Sequence, residues 1–187
     1  VAQVNCDSPG CRWATEFRDV SWMREAEVFC QKTIAEVTGL ESLGERPHRA
    51  GDYAFNNIGL SSFFMLSSTM PEALRKEKDY YVVGGCGGNI AWHTEHDLME
   101  IADRDILLRD IKVYLAAVMG VANADVLPFD WRAQVAEFSE TIAAYQKAAG
   151  DLADLGPAAG AVRDLSAALD DFYGAVEGGT LAPNAAN

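Results

Sequence analysis

The stretch VAQVNCDSPG, residues 1–10, decides how the rest of the chain is read. Through Cys6, small or apolar side chains alternate with polar ones, and the run then meets Asp7-Ser8-Pro9-Gly10, a cluster of turn formers. That is a strand entering a loop, with Asp7 at the strand's carboxyl end. Further along, Trp22, Ala26, Phe29, Cys30, Thr33, Ile34 and Val37 recur at helical spacing, which predicts an amphipathic helix from about Ser21, a possible N-cap, to Thr38, with Gly39 as its stop. Ser61 to Leu66 is a short apolar run suited to a buried strand. Strands alternating with helices argue for an α/β layered domain, in which functional loops gather beyond the carboxyl ends of the strands. Asp7 stands in such a place.

Residues 69–89 read as a long irregular connection ending in Gly84-Gly85-Cys86-Gly87-Gly88-Asn89, and long loops inside compact domains are often functional. Asp103 is a suitable cap for a helix running to Gly120, and Ile106, Leu107, Ile111, Tyr114, Leu115, Val118 and Met119 form a broad stripe expected to face the core. Beyond Val126-Leu127-Pro128-Phe129-Asp130, two Ala-rich stretches at about 132–149 and 157–176 predict an antiparallel helical pair. The expected organisation is an α/β domain over 1–125, a helical region over 126–177 and a mobile tail over 178–187.

Composition narrows the function classes. A chain of 187 residues with a formal net charge of −13 repels phosphate backbones, and its Lys and Arg are scattered, so no nucleic-acid partner is expected. Hydrophobic residues reach 49%, yet no apolar run approaches the ~18 residues a membrane span needs, so no membrane partner is expected either. Cys6, Cys11, Cys30 and Cys86 are sparse for a disulfide scaffold and read mostly as free thiols, which points to the cytoplasm, with secretion the alternative. Cys6 and Cys30 read as buried packing, whereas Cys11 and Cys86, in glycine-containing loops, are open to a bridge or to a surface thiol.

Chemistry concentrates around His93, in Asn89-Ile90-Ala91-Trp92-His93-Thr94-Glu95-His96-Asp97. The preceding glycines free the backbone to deliver an imidazole to a fixed place. Asp97 is near enough in sequence to orient it, as a carboxylate does for the second ring nitrogen of a zinc-bound histidine. His96 reads as a solvated helix-start residue, His48 as surface, and Asp52 as a turn former or a buried supporting acid. No GxSxG elbow, HExxH helix, Walker loop or dinucleotide-binding glycine pattern is present. No Ser/His/Asp or Cys/His set stands out as a nucleophile with its base.

Val4-Asn5-Cys6-Asp7-Ser8, then Gly51-Asp52-Tyr53-Ala54-Phe55 with Ile58-Gly59-Leu60, then Trp92-His93-Thr94 with Asp97 follow the order of one family. The chain resembles the dizinc aminopeptidases and glutamate carboxypeptidases, over nearly its whole length and only the C-terminal half of that family's fold. The resemblance implies a mixed-sheet sandwich with helices on both faces, followed by a helical, dimerising region. It implies that Asp7 and His93 ligate different ions of a co-catalytic zinc pair, with Asp97 and Asp52 in support and Trp92, Gly87 and Gly88 shaping the substrate pocket. Tyr53 stands where the family usually has His, and Leu98 where a Thr often follows the Asp.

The family's other ligands, a His, a bridging Asp and a Glu, lie upstream of the strand that ends at Asp7, as does its catalytic Glu. No Glu-Glu pair occurs in this sequence, so no general base is assigned to it. The resemblance therefore implies hydrolysis of a terminal peptide or amide bond by a unit completed by an N-terminal half, as a separate chain or a precursor part, and dimerised. This chain alone would be inactive. The rival expectation is a non-catalytic interaction protein, as in the transferrin receptor branch of the same family; a stand-alone α/β binding domain would leave a sheet edge open.

Overall fold

A computed structural model describes residues 2–48, 51–64 and 68–180, with the backbone alone at 51 and 52. The chain is mixed α/β, 56% helical, so its small parallel sheets are the minor part. It divides into two compact units, Val1–Ala124 and Asp125–Asn187.

In the first unit β1 (Ala2–Val4) pairs in parallel with β4 (Ser61–Phe63), and β2 (Phe17–Ser21) with β3 (Ser42–Glu45). An isolated antiparallel bridge, Trp22 to Phe63, joins the two pairs, with the Met23 N–H donating to Ser62 O at 2.9 Å. All three residues of β4 are buried, as its apolar run predicts; Met65 and Leu66, the end of that run, lie outside the described residues.

The sequence reading passes over β2 and β3. A register shift between Phe17 and Val20 breaks the alternation by which a strand is recognised, and β3 is the unpromising Ser-Leu-Gly-Glu. Gly44 is needed there: a Cβ would lie 2.5 Å from Trp22 Cε2. Ser21 is correspondingly not a helix cap but the last residue of β2. The helix itself, α1 (Glu27–Thr38), follows a short 3-10 turn and ends where expected, with Gly39 in the left-handed conformation at φ 73°. Its buried face of Cys30, Thr33 and Ile34 belongs to the periodic set.

Residues 69–89 hold one short helix, α2 (Glu72–Glu77), and a 3-10 turn at Cys86–Gly88. The long helix α3 (Arg104–Ala122) starts at Asp103, whose carboxylate accepts the Asp105 and Ile106 N–H groups at 3.0 Å each, and packs on α1. Its fully buried face shares only Tyr114 with the expected apolar stripe. Asp110, Val113, Tyr114 and Ala117 are buried, while Ile111, Leu115, Val118 and Met119 stand 43–56% exposed. The helix is rotated so that a carboxylate and a phenol, both with hydrogen-bond work to do, point inward. Hydropathy passes over the carboxylate, whereas Tyr114 belongs to the expected stripe and is buried as that stripe predicts. A T-shaped aromatic series, Phe29–Phe63 (5.8 Å), Phe63–Phe64 (5.5 Å) and Phe64–Tyr114 (5.6 Å), connects α1 through β4 to α3.

The second unit is a hairpin of α4 (Trp131–Ala149) and α5 (Gly156–Glu177). At one end the Gln146 amide donates to Gly150 O and Ala153 O and accepts from the Leu155 N–H. At the other, Tyr173 Oη donates to Phe129 O and accepts from the Trp131 N–H, both at 2.9 Å. These contacts run the helices antiparallel. Residues 181–187 of the expected tail lie outside the described residues.

Candidate functional site

Asp7 lies three residues past β1 in a loop that turns through Ser8 at φ 51° and Gly10 at φ 76°. Several backbone bonds fix the loop. The Asp103 N–H donates to Gly10 O at 2.8 Å and the Arg12 N–H to Ile101 O at 2.7 Å, so the loop lies along the segment entering α3. Glu16 and Thr69 exchange N–H···O bonds of 3.0 and 2.7 Å, and the Met70 N–H donates to Gly87 O at 2.8 Å. The Asp7 loop, the 68–70 segment and the glycine loop are thereby placed side by side.

Beneath them sits a group the sequence reading does not single out. Asp110 is fully buried, and its Oδ2 accepts the Gly10 N–H at 2.9 Å and the Ser68 hydroxyl at 2.7 Å. Its Oδ1 accepts from Arg109 Nη2 at 2.9 Å, and the same guanidinium donates to Ala14 O at 2.7 Å and lies over the Phe17 ring. One helical turn on, Tyr114 Oη donates to Asn5 O at 3.3 Å. Burial pushes the Tyr114 hydroxyl well above the ordinary tyrosine value, so it remains a donor. Two residues of α3 thus hold the chain on both sides of Asp7, at Asn5 and at Gly10. The only sequence signal for Asp110 is an acid at i−4 from Tyr114.

Asp7 is half-buried, and its Oδ1 accepts from its neighbour Ser8 Oγ at 2.7 Å. With Asp19, Ser68, Thr69, Gly87 and Gly88 it lines a cavity of about 10 Å³, room for at most one water. Gly87 and Gly88 therefore line the same small cavity as Asp7. At Gly87, φ is +58° and a Cβ would lie 2.7 Å from Ala14 Cβ and 2.9 Å from Cys11 Cβ. Asp19, unremarked in the sequence, has its carboxyl pushed up by burial and then by the Glu45 charge.

His93 is delivered by a succession of turns. Asn89, buried, accepts the Ala91 N–H on its own side chain, the Thr94 hydroxyl donates to Ala91 O, and His93 itself takes the left-handed conformation at φ 59°. Its ring is exposed and stacks on Trp92 with centroids 3.9 Å apart. The Trp92 indole lies over Gly85, where a Cβ would stand 2.8 Å from Cε2, and packs against the cluster of Cys11, Ala14 and Cys86. Asp97 is exposed and reaches Cys86 Sγ at 3.9 Å; no hydrogen bond joins it to His93. Asp97 lines, with Ser8, Cys11, Cys86 and Met99, an open cleft of about 540 Å³. The Asp52 side chain lies outside the described residues.

His48 is a surface residue bonded to Glu45 at 2.8 Å, and His96 is exposed. All four cysteines are free thiols, and Cys30 is fully buried as expected. Cys6 corrects the expectation: two residues beyond the short β1, it is exposed.

A carboxylate and an imidazole are suitable donors for zinc. Among the described residues, however, no group of three or more His, Cys, Asp or Glu is gathered closely enough to hold a metal ion, so Asp7 and His93 do not make a closed site by themselves. Compared with known proteins, the chain matches no family model, no curated sequence and no solved structure. No helix among the described residues is long and apolar enough to cross a membrane.

Proposed function

We propose that this chain is the C-terminal half of a dizinc exopeptidase, contributing Asp7 and His93 as one ligand to each of two zinc ions. The observation that carries the reading is the way the Asp7 loop and the glycine loop leading to His93 are fastened together, through the Met70–Gly87 bond, the Gly87–Cys11 contact and Asp110 beneath. Residues 86 apart in sequence are otherwise free to lie anywhere, and a split ligand set needs its two loops adjacent. Zinc bound there would supply a Lewis acid and a water acidic enough to attack an amide at neutral pH.

The work of this chain's own residues is positional. Asp110 and Tyr114 fix the backbone that presents the Asp7 carboxylate, and the Asn89 and Thr94 turns with the Trp92 stack present the His93 ring. The general base and the remaining ligands belong to an N-terminal half, as a separate chain or a precursor part. The zinc-exopeptidase sandwich of the completed unit, its homodimerisation through the 126–177 region, its cytoplasmic location, and its action on a terminal peptide or amide bond are parts of the same proposal. The apolar residues that α3 leaves uncovered, Leu108, Ile111, Leu115, Val118 and Met119, are the kind of surface such a partner piece covers.

A second reading, a non-catalytic interaction protein of the same fold, draws on that same surface and on the incomplete ligand set. Metal content and hydrolysis of aminoacyl and dipeptide substrates separate the two, measured on the natively purified complex with the intact mass of every chain, on this chain alone, and on His93→Ala. About two zinc per completed unit, with activity lost in the variant, supports the hydrolase. No metal and no hydrolysis in an intact complex refutes it and leaves the interaction protein.

A further inference from the structure

Cys11 and Cys86, 75 residues apart in sequence, meet inside the first unit with their sulfurs 3.1 Å apart. A disulfide bond is ~2.05 Å long, so about 1 Å of further approach makes one. Neither residue is a loose surface thiol: they are 7% and 5% exposed and share a cluster with Ala14. Each backbone is held. Cys11 forms an antiparallel bridge with Ala102, and Cys86 opens the 3-10 turn whose next residue, Gly87, has room for no side chain against Cys11 Cβ. Both cysteines also line the open cleft, together with Asp97 and Met99. The arrangement has no use in the proposed hydrolysis, which needs neither sulfur.

We propose that Cys11 and Cys86 form a reversible intrachain disulfide, with a low-molecular-weight disulfide as oxidant, that staples the Asp7 loop to the glycine loop ahead of His93. The Cys86 thiolate attacks one sulfur of the small disulfide RSSR; a bond forms between Cys86 Sγ and that sulfur, and RS⁻ leaves with the proton Cys86 gave up. Cys11 then attacks Cys86 Sγ, the Cys86–SR bond breaks, and the second RS⁻ takes the Cys11 proton. Two protein thiols lose two electrons and two protons, and RSSR becomes two RSH. Cys86 goes first because the S–H of Cys11, donated to it, draws its thiol below the ordinary value, whereas that same bond and then burial push Cys11 up. Cys6, exposed, and Cys30, buried, are internal controls that should stay unpaired.

The staple's regulatory meaning rests on the proposed ligand roles of Asp7 and His93, but the bond itself does not. The test therefore reads thiols and needs neither metal nor activity. The full chain, in whatever complex it is purified, is incubated with excess oxidised glutathione, quenched with acid, unfolded and alkylated with a maleimide in denaturant, and mapped without reduction. A protease cutting before Asp7 separates Cys6 from Cys11. The expected result is loss of the Cys11 and Cys86 thiols, Cys30 still alkylated, Cys6 alkylated or carrying glutathione, and one cross-linked pair of peptides, lighter by two hydrogens, carrying Cys11 and Cys86. Reduction should restore all four thiols. On Cys11→Ser, glutathione should remain attached at Cys86. In the oxidised chain, amide exchange at Gly10, Arg12 and Asn89 should slow relative to the reduced chain. Cys11 and Cys86 both retained as thiols, glutathione parked on Cys86 of the unsubstituted chain, or a protein disulfide involving Cys6 overturns the proposal, and a bond with unchanged exchange overturns the staple.

Discussion

Replacing Asp110 by Ala removes the acceptor for three donors at once: the Gly10 N–H, the Ser68 hydroxyl and the Arg109 guanidinium. The carboxylate is fully buried and the Arg109 side chain is 22% exposed, so water reaches only one partner with ease. Breaking a buried ion pair by removing one member costs ~3–5 kcal/mol, and a typical domain is stable by ~5–15, so the variant should still fold. We expect a loss of ~3–5 kcal/mol for Asp110→Ala, and ~1–3 for Asp110→Asn, which retains an acceptor for Gly10 and Ser68 but turns an amide N–H₂ towards Arg109. Urea unfolding followed by tryptophan fluorescence measures this in a Trp131→Phe background, because the other three tryptophans, Trp13, Trp22 and Trp92, all belong to the first unit. In the native state, exchange at the Gly10 amide should rise well before exchange in α1. A loss under ~1 kcal/mol for Asp110→Ala, or an unchanged Gly10 amide, would refute the view that this carboxylate holds the Asp7 loop.

Three other outcomes follow from the same structure. Gly87→Ala, at φ +58° with Ala14 and Cys11 under 3 Å from the new methyl, should cost ~1–3 kcal/mol in unfolding and lower the rate of Cys11–Cys86 bond formation under oxidised glutathione. Asp103→Ala removes the side-chain cap of α3 and should cost ~0.5–2 kcal/mol, read from the same urea midpoint. The Asp130 carboxyl, bonded to Arg132 and to that residue's N–H, is held below the usual carboxylate value. Its contribution is therefore present above the unfolded pKa of ~3.9 and is lost as pH falls through the lower, folded value. With both side chains over 40% exposed, solvent screens the pair to a weak contribution, so Asp130→Ala should shift the α4–α5 melting curve slightly at neutral pH and barely at all in strong acid.

Much of this molecule is written locally in its chain. Helix α1 with its Gly39 stop, the Asp103 cap, the α4–α5 hairpin and the strand before Asp7 all follow from spacing of three to four residues or from single turn formers, because those signals act between neighbours. The strand pair β2–β3 does not, since its register shift and the Trp22–Gly44 contact bind segments more than 20 residues apart and leave no alternation to read. The inward face of α3 is the sharper case. Hydropathy selects Ile111, Tyr114, Leu115, Val118 and Met119, but of these only Tyr114 is buried, and the helix turns Asp110 inward beside it because the Gly10 N–H, the Ser68 hydroxyl and Arg109 are there to satisfy a buried carboxylate. The sequence alone could name Asp7, His93 and Asp97 as chemical residue types at strand ends and in loops. Only tertiary structure set Asp7 against the glycine loop, turned Asp97 to Cys86, and brought Cys11 and Cys86 into contact, because side-chain partners across 11 to 100 residues are chosen by packing.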